Sequence, residues 1–357
     1  MVPDPTDSIR IRRLTAQGLA GPRARTAEAA VGRLLAVQAQ DERGFRLAIR
    51  SRTTGITAGD VDEALDTGQL LVTWLNRGTL HLVRSDDYRW LHRLTAPRVV
   101  NGVERRLRQL GVDARDQERG VDVIVGSLES AGPLDRRALR DRLDAEGVPT
   151  AGQALIHLLA VTSLRGLVVR GPVVGGRHAF VAVDDWLGPA PAAVDRDDAL
   201  GRLARRYLEG HGPATPRDLA AWAGITLGDA RTACARVADE VHEIPGGLVT
   251  GTIRPGDLPR SVPPRLLGPF DPVLHGWHDR APFVGRHRSV VTANGIFRAV
   301  CLVGGRVVGT WTLPSGRVEI TLLEAVGARE RAALVEDSVD VQRFLGLAEA
   351  PARVSGP

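Results

Sequence analysis

A repeated pattern in the middle of the chain limits the folds that its 357 residues can adopt. Residues 127–139 read SLESAGPLDRRAL and residues 207–219 read YLEGHGPATPRDL, with identical residues at six aligned positions. The Gly-Pro pair in each copy must end the helix before it, because proline cannot continue a helix. Each copy is therefore predicted to form a helix, a short second helix and then a third helix.

A pair of strands is predicted to follow the third helix in each copy. In the first copy this helix is expected over about 151–164, and two Val-rich segments then flank a turn at 175–176. In the second copy the helix is expected over about 227–240, and a weaker ribbon turns at 246–247 into a strand over 248–253. Three helices followed by a β-ribbon form a winged helix, a relative of the helix-turn-helix.

The two ends of the chain extend this organisation. Residues 9–95 fit the same pattern less closely, with helices expected near 9–17, 26–38 and 57–67 and strands near 70–74 and 79–83. From about residue 262 to 345 the chain changes to short Val-rich strands joined by Gly-Gly and Pro-Ser-Gly turns. This composition predicts a small antiparallel sheet or barrel.

The fold class predicted from the sequence is α+β, with three tandem winged-helix units and a C-terminal small antiparallel β-sheet or barrel. The expected segments are 1–115 for the first winged helix, 116–192 for the second with its β-hairpin, 193–260 for the third, and 261–357 for the β-rich C-terminal region. Helices within 85–130 are expected to connect the first unit to the second.

The basic residues are all of one type. Lysine and arginine together number 47, and every one of them is arginine. With a formal net charge of +5, three winged helices favour binding to nucleic acid. Two alternatives remain open: winged helices also serve as protein-interaction modules, and a GC-rich genome replaces lysine codons with arginine codons. The absence of lysine excludes a Schiff base between a side chain and a substrate.

Several classes of protein and site are disfavoured. No stretch approaches the ~18 apolar residues of a transmembrane helix, and the N-terminal residues lack the apolar run of a secretory signal. These features predict a cytoplasmic, nucleoid-associated protein without membrane contact. Cys234 and Cys301 are expected to be buried thiols rather than disulfide partners. Since His275, His278 and His287 form no zinc pattern and no Gly-rich phosphate loop precedes a helix, neither a metal nor a cofactor is expected.

Two glutamines stand at the end of a predicted core-facing helix in LLAVQAQDERG, residues 34–44. Gln38 completes an otherwise apolar stripe on that helix, and a buried amide without partners costs roughly 1–3 kcal/mol. If the chain becomes extended after Val37, the side chains of Gln38 and Gln40 point to the same side. The alternative is that Gln38 closes the last helical turn and Gln40 is solvated.

Four segments of the chain resemble the AlkZ/YcaQ-type DNA glycosylases, and the resemblance covers nearly its whole length. They are LLAVQAQDERG, TWLNRGTLHLVRSDDYRWL (73–91), LLGPFDPVLHGWHDR (266–280) and NGIFRAVCLVGGRVVGTW (294–311). The family is known for a Q-x-Q or Q-x-D motif in its first winged helix. Gln38-Ala39-Gln40 resembles the AlkZ branch, because the YcaQ branch has aspartate at the second position.

The resemblance implies a monofunctional DNA glycosylase that hydrolyses the N-glycosidic bond of N7-alkylguanine in double-stranded DNA. Such lesions include bulky adducts and interstrand cross-links, in base excision repair or in antibiotic self-resistance. Gln38 and Gln40 are the implied catalytic residues, and the protein is expected to act as a monomer. An N7-alkylated guanine is cationic and leaves as a neutral base, so uncharged amides can suffice where other substrates need a carboxylate.

Three further site candidates lie in the segments that carry the resemblance. Arg77 and His81 stand at a turn into a strand, where they can contact phosphate or orient the glutamines. The alternative is that Gly78 makes a tight turn and His81 bonds to the backbone. Asp271 is a candidate electrostatic helper of the active cleft, and the alternative is that it caps the turn that starts at Pro272.

The predicted hairpin over 166–183 supplies the remaining candidates for DNA binding. Arg170, Arg177 and His178 lie near its turn, and arginine inserted in a minor groove is a common device of DNA-binding proteins. The alternative is an ordinary wing whose tip is solvated.

Two functions without catalysis fit the same predicted fold. One is a winged-helix transcriptional regulator, which would bind symmetric half-sites as a dimer. The other is a protein that binds damaged DNA without cutting it. Excision of a damaged base would exclude both.

Overall fold

The computed structural model describes residues 5–250, 258–259 and 261–357. The chain forms two compact units. The first unit comprises Met1–Val61, Leu200–Trp222 and Thr226–Pro357, and the second unit comprises Asp62–Ala199 and Ala223–Ile225. The division into four segments that the sequence predicts stays a prediction.

Helices and strands both contribute to the fold, as expected for an α+β protein. The helices are α1 (Pro5–Ala16), α2 (Ala27–Leu34), α3 (Glu42–Arg50), α4 (Ala58–Asp66), α5 (Ser85–Thr95), α6 (Pro97–Gln109), α7 (Ala114–Ala131), α8 (Arg136–Ala145), α9 (Ala154–Leu164), α10 (Val183–Leu187), α11 (Arg196–His211), α12 (Pro216–Ala223), α13 (Leu227–Ala235), α14 (Ala281–Val284) and α15 (Ala328–Phe344). The strands are β1 (Val37–Gln38), β2 (Leu70–Leu75), β3 (Thr79–Arg84), β4 (Leu134–Asp135), β5 (Val168–Val174), β6 (Arg177–Ala182), β7 (Val241–Ile244), β8 (Gly247–Thr250), β9 (Arg265–Leu267), β10 (Val300–Val303), β11 (Arg306–Thr312), β12 (Glu319–Leu322) and β13 (Arg353–Ser355).

The first copy of the repeat has the predicted order of elements. Helix α7 ends at Gly132, whose φ of 72° suits glycine. Short strand β4 follows, then α8, α9 and the hairpin of β5 and β6. The two residues of β4 pair with β6, Leu134 opposite Phe180. The helix predicted near 151–164 is confirmed as α9.

The second copy repeats this order with a smaller ribbon. Helices α11, α12 and α13 precede the hairpin of β7 and β8, and Ala214 bridges to Leu248 as β4 does to β6 in the first copy. Helix α13 ends at Ala235, earlier than the predicted 240, and residues 238–240 form a separate 3₁₀ turn. Residues 251–253 of the predicted second strand lie outside the described residues. The winged-helix assignment of both copies remains an interpretation of this order.

The N-terminal helices differ from the prediction at one point. The helix expected over 26–38 ends at Leu34, and an unpredicted helix, α3, begins at Glu42. Helix α2 begins where the Thr26 side chain accepts a hydrogen bond from the backbone N–H of Ala29. Its early end is caused by a backbone turn at Leu35, which also places the glutamines and is described below.

Five strands of the second unit lie side by side in one sheet, in the order β3-β2-β5-β6-β4. Val72 of β2 pairs with Arg170 of β5, so the two hairpins predicted in separate segments share this sheet. Trp74 and Phe180 stack across it with ring centroids 6.4 Å apart. Buried side chains of α7 and α9, including Leu158, complete the core of this unit.

The C-terminal region of the first unit forms the predicted small sheet, in the order β13-β12-β11-β10-β9. Strands β9 to β12 pair in antiparallel fashion, but β13 pairs with β12 in parallel, which corrects the expectation of a purely antiparallel sheet. A parallel neighbour requires a long crossover connection, and α15 lies within it. Leu47 of α3, Trp311 of β11 and Leu334 of α15 belong to one buried core.

A buried ion pair connects α3 to the segment before β10 in the first unit. Asp271 is fully buried and binds both terminal nitrogens of the Arg52 guanidinium, at 2.8 and 2.9 Å. Gln17 accepts a further hydrogen bond from Arg52 at 2.8 Å. Since these groups have little access to water, the loss of either partner leaves a buried charge without compensation.

We expect Asp271→Ala to lower the free energy of unfolding by about 3–5 kcal/mol, because Arg52 would be left charged and buried. Urea denaturation followed by circular dichroism measures this change. Glu349→Ala is the matched control: it removes an acid that pairs with Arg343 at 3.0 Å on the surface, and it should change stability little. A loss in Asp271→Ala no larger than that of the control would contradict the assigned role of the pair.

Candidate active site

The backbone turns sharply at Leu35, just before the glutamine motif. Leu35 has φ 63° and ψ −47°, and the N–H of Ala36 donates to the carbonyl of Leu34 at 2.8 Å. A hydrogen bond between residues two apart around a positive φ defines a strained γ-turn. Such conformations cost about 1–3 kcal/mol and persist only where the surrounding packing holds them. Leu35 is fully buried, so packing does hold this turn.

Strand β1 follows this turn and sets the direction of the glutamine side chains. In an extended chain, residues two apart point to the same side. The side chains of Gln38 and Gln40 accordingly meet: Nε2 of Gln38 donates a hydrogen bond to Oε1 of Gln40. The expectation that both glutamines point the same way is confirmed, whereas a helix continuing to Gln38 is wrong.

The two amides differ in their access to solvent. The Gln38 residue is only 7% exposed, whereas Gln40 is exposed. Within the described residues, Oε1 of Gln38 is buried and has no hydrogen-bond partner. An unsatisfied buried acceptor costs roughly 1–3 kcal/mol, so its presence calls for a ligand, a water or a reacting group.

The charged residues after the motif start helix α3 directly after the glutamines. Asp41 caps this helix by accepting a hydrogen bond from the backbone N–H of Gly44 at 2.6 Å. A Cβ atom at Gly44 would lie 2.5 Å from the carbonyl oxygen of Pro269, so only glycine permits this approach. The sequence carries a signal for this unpredicted helix, an aspartate at the cap position followed by Glu42 in the first turn.

Arg77, in the turn between β2 and β3, is exposed, whereas His81, in β3, is buried. Arg77 is exposed in a turn where Asn76 and Gly78 have φ of 57° and 80°. His81 is only 3% exposed, and its Nδ1 lies 2.8 Å from the carbonyl oxygen of Thr79. This geometry agrees with the tight-turn alternative for His81. Burial lowers the pKa of His81 to about 3, so the ring is uncharged at neutral pH.

The predicted hairpin is present, and its three candidate residues differ in exposure. The Arg177 side chain is exposed and pairs with Asp135 at 3.0 Å. Arg170 is half-buried, with its guanidinium 5.8 Å from the centroid of the Phe180 ring, and His178 is buried. Arg177 therefore offers the most accessible positive charge of the three, at the edge of the turn at 175–176.

Asp271 has the capping role that the sequence analysis gave as the alternative. Its carboxylate accepts a hydrogen bond at 3.0 Å from the N–H of Val273, in the 3₁₀ turn that starts at Pro272. The ion pair with Arg52 occupies both of its oxygens. This arrangement supports a structural role rather than that of an electrostatic helper.

Other expectations concern cysteines, metals and membranes. Cys234 and Cys301 are free and buried, as expected. Among the described residues, no group of three or more His, Cys, Asp or Glu is arranged to hold a metal ion. None of the helices in the described ranges combines the length and the apolar character required to span a bilayer.

Comparison with known proteins identifies the family. A sequence profile of the AlkZ-like DNA glycosylases matches residues 31–344, which include the glutamine pair. The chain belongs to the AlkZ-like DNA glycosylase family. An interstrand DNA cross-link repair glycosylase of Streptomyces sahachiroi is similar to this AlkZ-like chain, with 27% identity over 349 residues, 91% of this chain and 92% of the relative.

A solved structure extends the similarity to the whole fold. The structure of the Streptomyces sahachiroi DNA glycosylase AlkZ covers 98% of this chain and 99% of its own, with a TM-score of 0.81 and 25% identity. The AlkZ-like chain is therefore similar in fold to that glycosylase. The membership inferred from the four sequence segments is confirmed.

We expect the stability of the protein to fall as the pH drops below 6.5. Burial lowers the pKa of His81 and His211 to about 3 and that of His92 to about 4. The unfolded chain therefore binds more protons than the folded one between pH 6.5 and about 4, and stability rises with pH in this window. Within this window, each such histidine adds about 1.4 kcal/mol per pH unit to the slope of the free energy of unfolding against pH.

Urea unfolding of His81→Gln at pH 7 and pH 5 measures the contribution of one histidine. The variant should lose less stability than the wild type between these two pH values. His242→Gln, at an exposed position, controls for the loss of a histidine from the surface. An identical pH dependence in His81→Gln and wild type would contradict the buried, uncharged state of His81.

Proposed function

We propose that the protein hydrolyses the N-glycosidic bond of N7-alkylguanine in double-stranded DNA, with Gln38 and Gln40 as its catalytic residues. Membership of the AlkZ-like family supports DNA glycosylase activity. The observation that carries the assignment of the site is the contact between the two amides, which leaves Oε1 of Gln38 buried and without a partner in the described part of the chain.

The chemistry suits uncharged side chains. Alkylation at N7 gives the base a positive charge, so the base takes the electrons of the C1′–N9 bond and departs neutral. The sugar becomes an oxocarbenium ion, and water adds to C1′ and releases its proton to the solvent. No general acid is needed for the leaving group, and oriented acceptors stabilise the charge that develops on the sugar.

Each glutamine has a distinct role in this mechanism. The free Oε1 of Gln38 accepts a hydrogen bond from the attacking water beside the sugar cation. Gln40 is exposed and can face the DNA, while its own Oε1 holds the Gln38 amide in one orientation. Removing one oriented group of this kind from an enzyme typically costs about 10²–10³ in rate.

The product would be an abasic site in an intact strand. Strand cleavage by a glycosylase proceeds through an imine with an amine, and the sequence contains no lysine side chain to form one. The proposed activity is therefore monofunctional and uses water as the nucleophile.

One relative supports the finer substrate range that we propose. A glycosylase of Streptomyces sahachiroi named for repair of interstrand cross-links is similar over nearly the whole chain. We therefore include bulky N7 adducts and interstrand cross-links among the proposed substrates, in base excision repair or in antibiotic self-resistance. A monomer is sufficient for this reaction.

We expect Gln38→Ala and Gln40→Ala to lower the excision rate about 100-fold or more. The assay uses a duplex with one N7-methylguanine and measures the free base and the alkali-labile abasic site. Gln109→Ala is the matched control, since Gln109 is an exposed glutamine that accepts a hydrogen bond from Arg106. Full activity in either motif variant, or an intact lesion with the wild-type protein, would disprove the assignment.

We also expect Arg77 and Arg177 to contact DNA phosphates, because both are exposed cations of the second unit, Arg77 in a turn and Arg177 at the start of β6. Each alanine substitution should reduce the slope of log K against log salt concentration by about 0.9, without changing sequence preference. Fluorescence anisotropy between 50 and 200 mM salt, as in typical titrations of this kind, gives the slope. Arg77→Lys and Arg177→Lys keep the charge and should keep the slope. An unchanged slope in both alanine variants would remove these residues from the interface.

A further inference from the structure

A cleft of about 430 Å³ opens beside helix α3 in the first unit. Its apolar lining comes from Leu313, Leu345 and Leu347, which lie after β11 and after α15. The residues contributed by α3 are Arg43 and Arg46. The cleft thus combines an aliphatic wall with two guanidinium groups.

The two arginines share one face of α3, since residues three apart on a helix are neighbours. Arg46 is held in place: its Nη1 donates to the carbonyl of Glu42 at 2.8 Å, and its guanidinium lies 4.8 Å from the centroid of the Phe45 ring. Arg43 is exposed and, within the described ranges, makes neither an ion pair nor a hydrogen bond. Its guanidinium is therefore available to a ligand.

The cleft lies close to the glutamine pair along the chain. Helix α3 begins two residues after Gln40, and Asp41 fixes its first turn. Three residues span at most about 11 Å even when extended, so the Cα atoms of Gln40 and Arg43 can be no farther apart. A group attached to a base whose sugar meets Gln40 can therefore reach Arg43.

We propose that this cleft binds the apolar, aromatic part of the substituent on guanine N7; this inference rests on the proposed function and deepens it. N7 faces the major groove, so its substituent projects away from the stacked bases. Leucine side chains pack against an apolar ring, and a guanidinium stacks on an aromatic face. Arg43 and the leucines would then be positioning residues that select lesions by the size of their adduct.

A backbone phosphate is the competing occupant, and the lining disfavours it. The guanidinium groups can bond only the phosphate oxygens that face them, while the three leucines would remove water from the other oxygens without replacing those hydrogen bonds, which is costly. An aromatic ring loses no hydrogen bonds on entering the cleft and gains contacts with both kinds of side chain. If the cleft binds a phosphate, it contributes equally to the affinity for every duplex. If it binds an aromatic ring, it contributes only to the affinity for lesions that carry one.

The test compares two duplexes that differ only in the N7 substituent, benzyl or methyl. A fluorine at C2′ of the lesion nucleotide slows loss of the base, because it disfavours the oxocarbenium ion, and fluorescence anisotropy then measures Kd. We expect the wild-type protein to bind the benzyl duplex about tenfold more tightly than the methyl duplex. Arg43→Ala and Leu347→Trp should bring this ratio close to one and leave the Kd for the methyl duplex within about twofold.

Leu323→Trp is the matched control, because Leu323 is an exposed leucine of the same unit outside the cleft. It should keep the tenfold ratio. A wild-type ratio of Kd values near one would overturn the proposal. So would an equal loss of affinity for both duplexes in Arg43→Ala, because it would show that Arg43 contacts a phosphate. Failure of the proposed function is separate: it would show as no excision of unfluorinated lesions while the binding ratio persists.

Discussion

The left-handed turn at Leu35 is the constraint on which the candidate active site depends. In a continuous helix, residues 38 and 40 would point about 200° apart, and their amides could not meet. The turn ends α2 at Leu34 and sends the chain into β1, so that the side chain of Gln38 in β1 and that of Gln40 just after it meet. Leucine avoids positive φ, so its complete burial must supply the free energy that holds the turn.

The ion pair between Arg52 and Asp271 anchors the end of helix α3 that lies farther from the glutamine motif. Arg52 follows α3 directly, and Asp271 belongs to the segment in which Pro269 approaches Gly44. Helix α3 is thereby fixed at both ends, and its first turn fixes Asp41 next to Gln40. The helix that follows the exposed Gln40 is thus anchored by a charge pair that has almost no contact with solvent.

Local sequence patterns predicted the helices and strands whose formation depends on neighbouring residues. The Gly-Pro breaks and the spacing of apolar residues predicted the helices and the hairpin of the first copy of the repeat, and the order of elements in the second. The end of α2 was missed because nothing in the identity of Leu35 indicates a positive φ; only the packing around it selects that conformation. Asp271 was recognisable as a cap from Pro272, but its partner Arg52 stands 219 residues away. The parallel pairing of β13 is equally non-local, as Ile320 and Val354 meet only in the folded sheet.

The choice of amides over carboxylates has a consequence for selectivity under the proposed mechanism. A carboxylate at position 38 would be buried, and desolvation would raise its pKa and favour the neutral acid. An amide keeps the same dipole at every pH, but it cannot protonate a departing base. Ordinary guanine would then be spared because its glycosidic bond needs a proton, and not because it fails to fit. Because the charge of the leaving group already distinguishes damaged from normal bases, the surface around the glutamines does not have to exclude normal bases by shape. The cleft lined by Arg43, Arg46 and the three leucines can then accept large substituents without exposing undamaged DNA to cleavage.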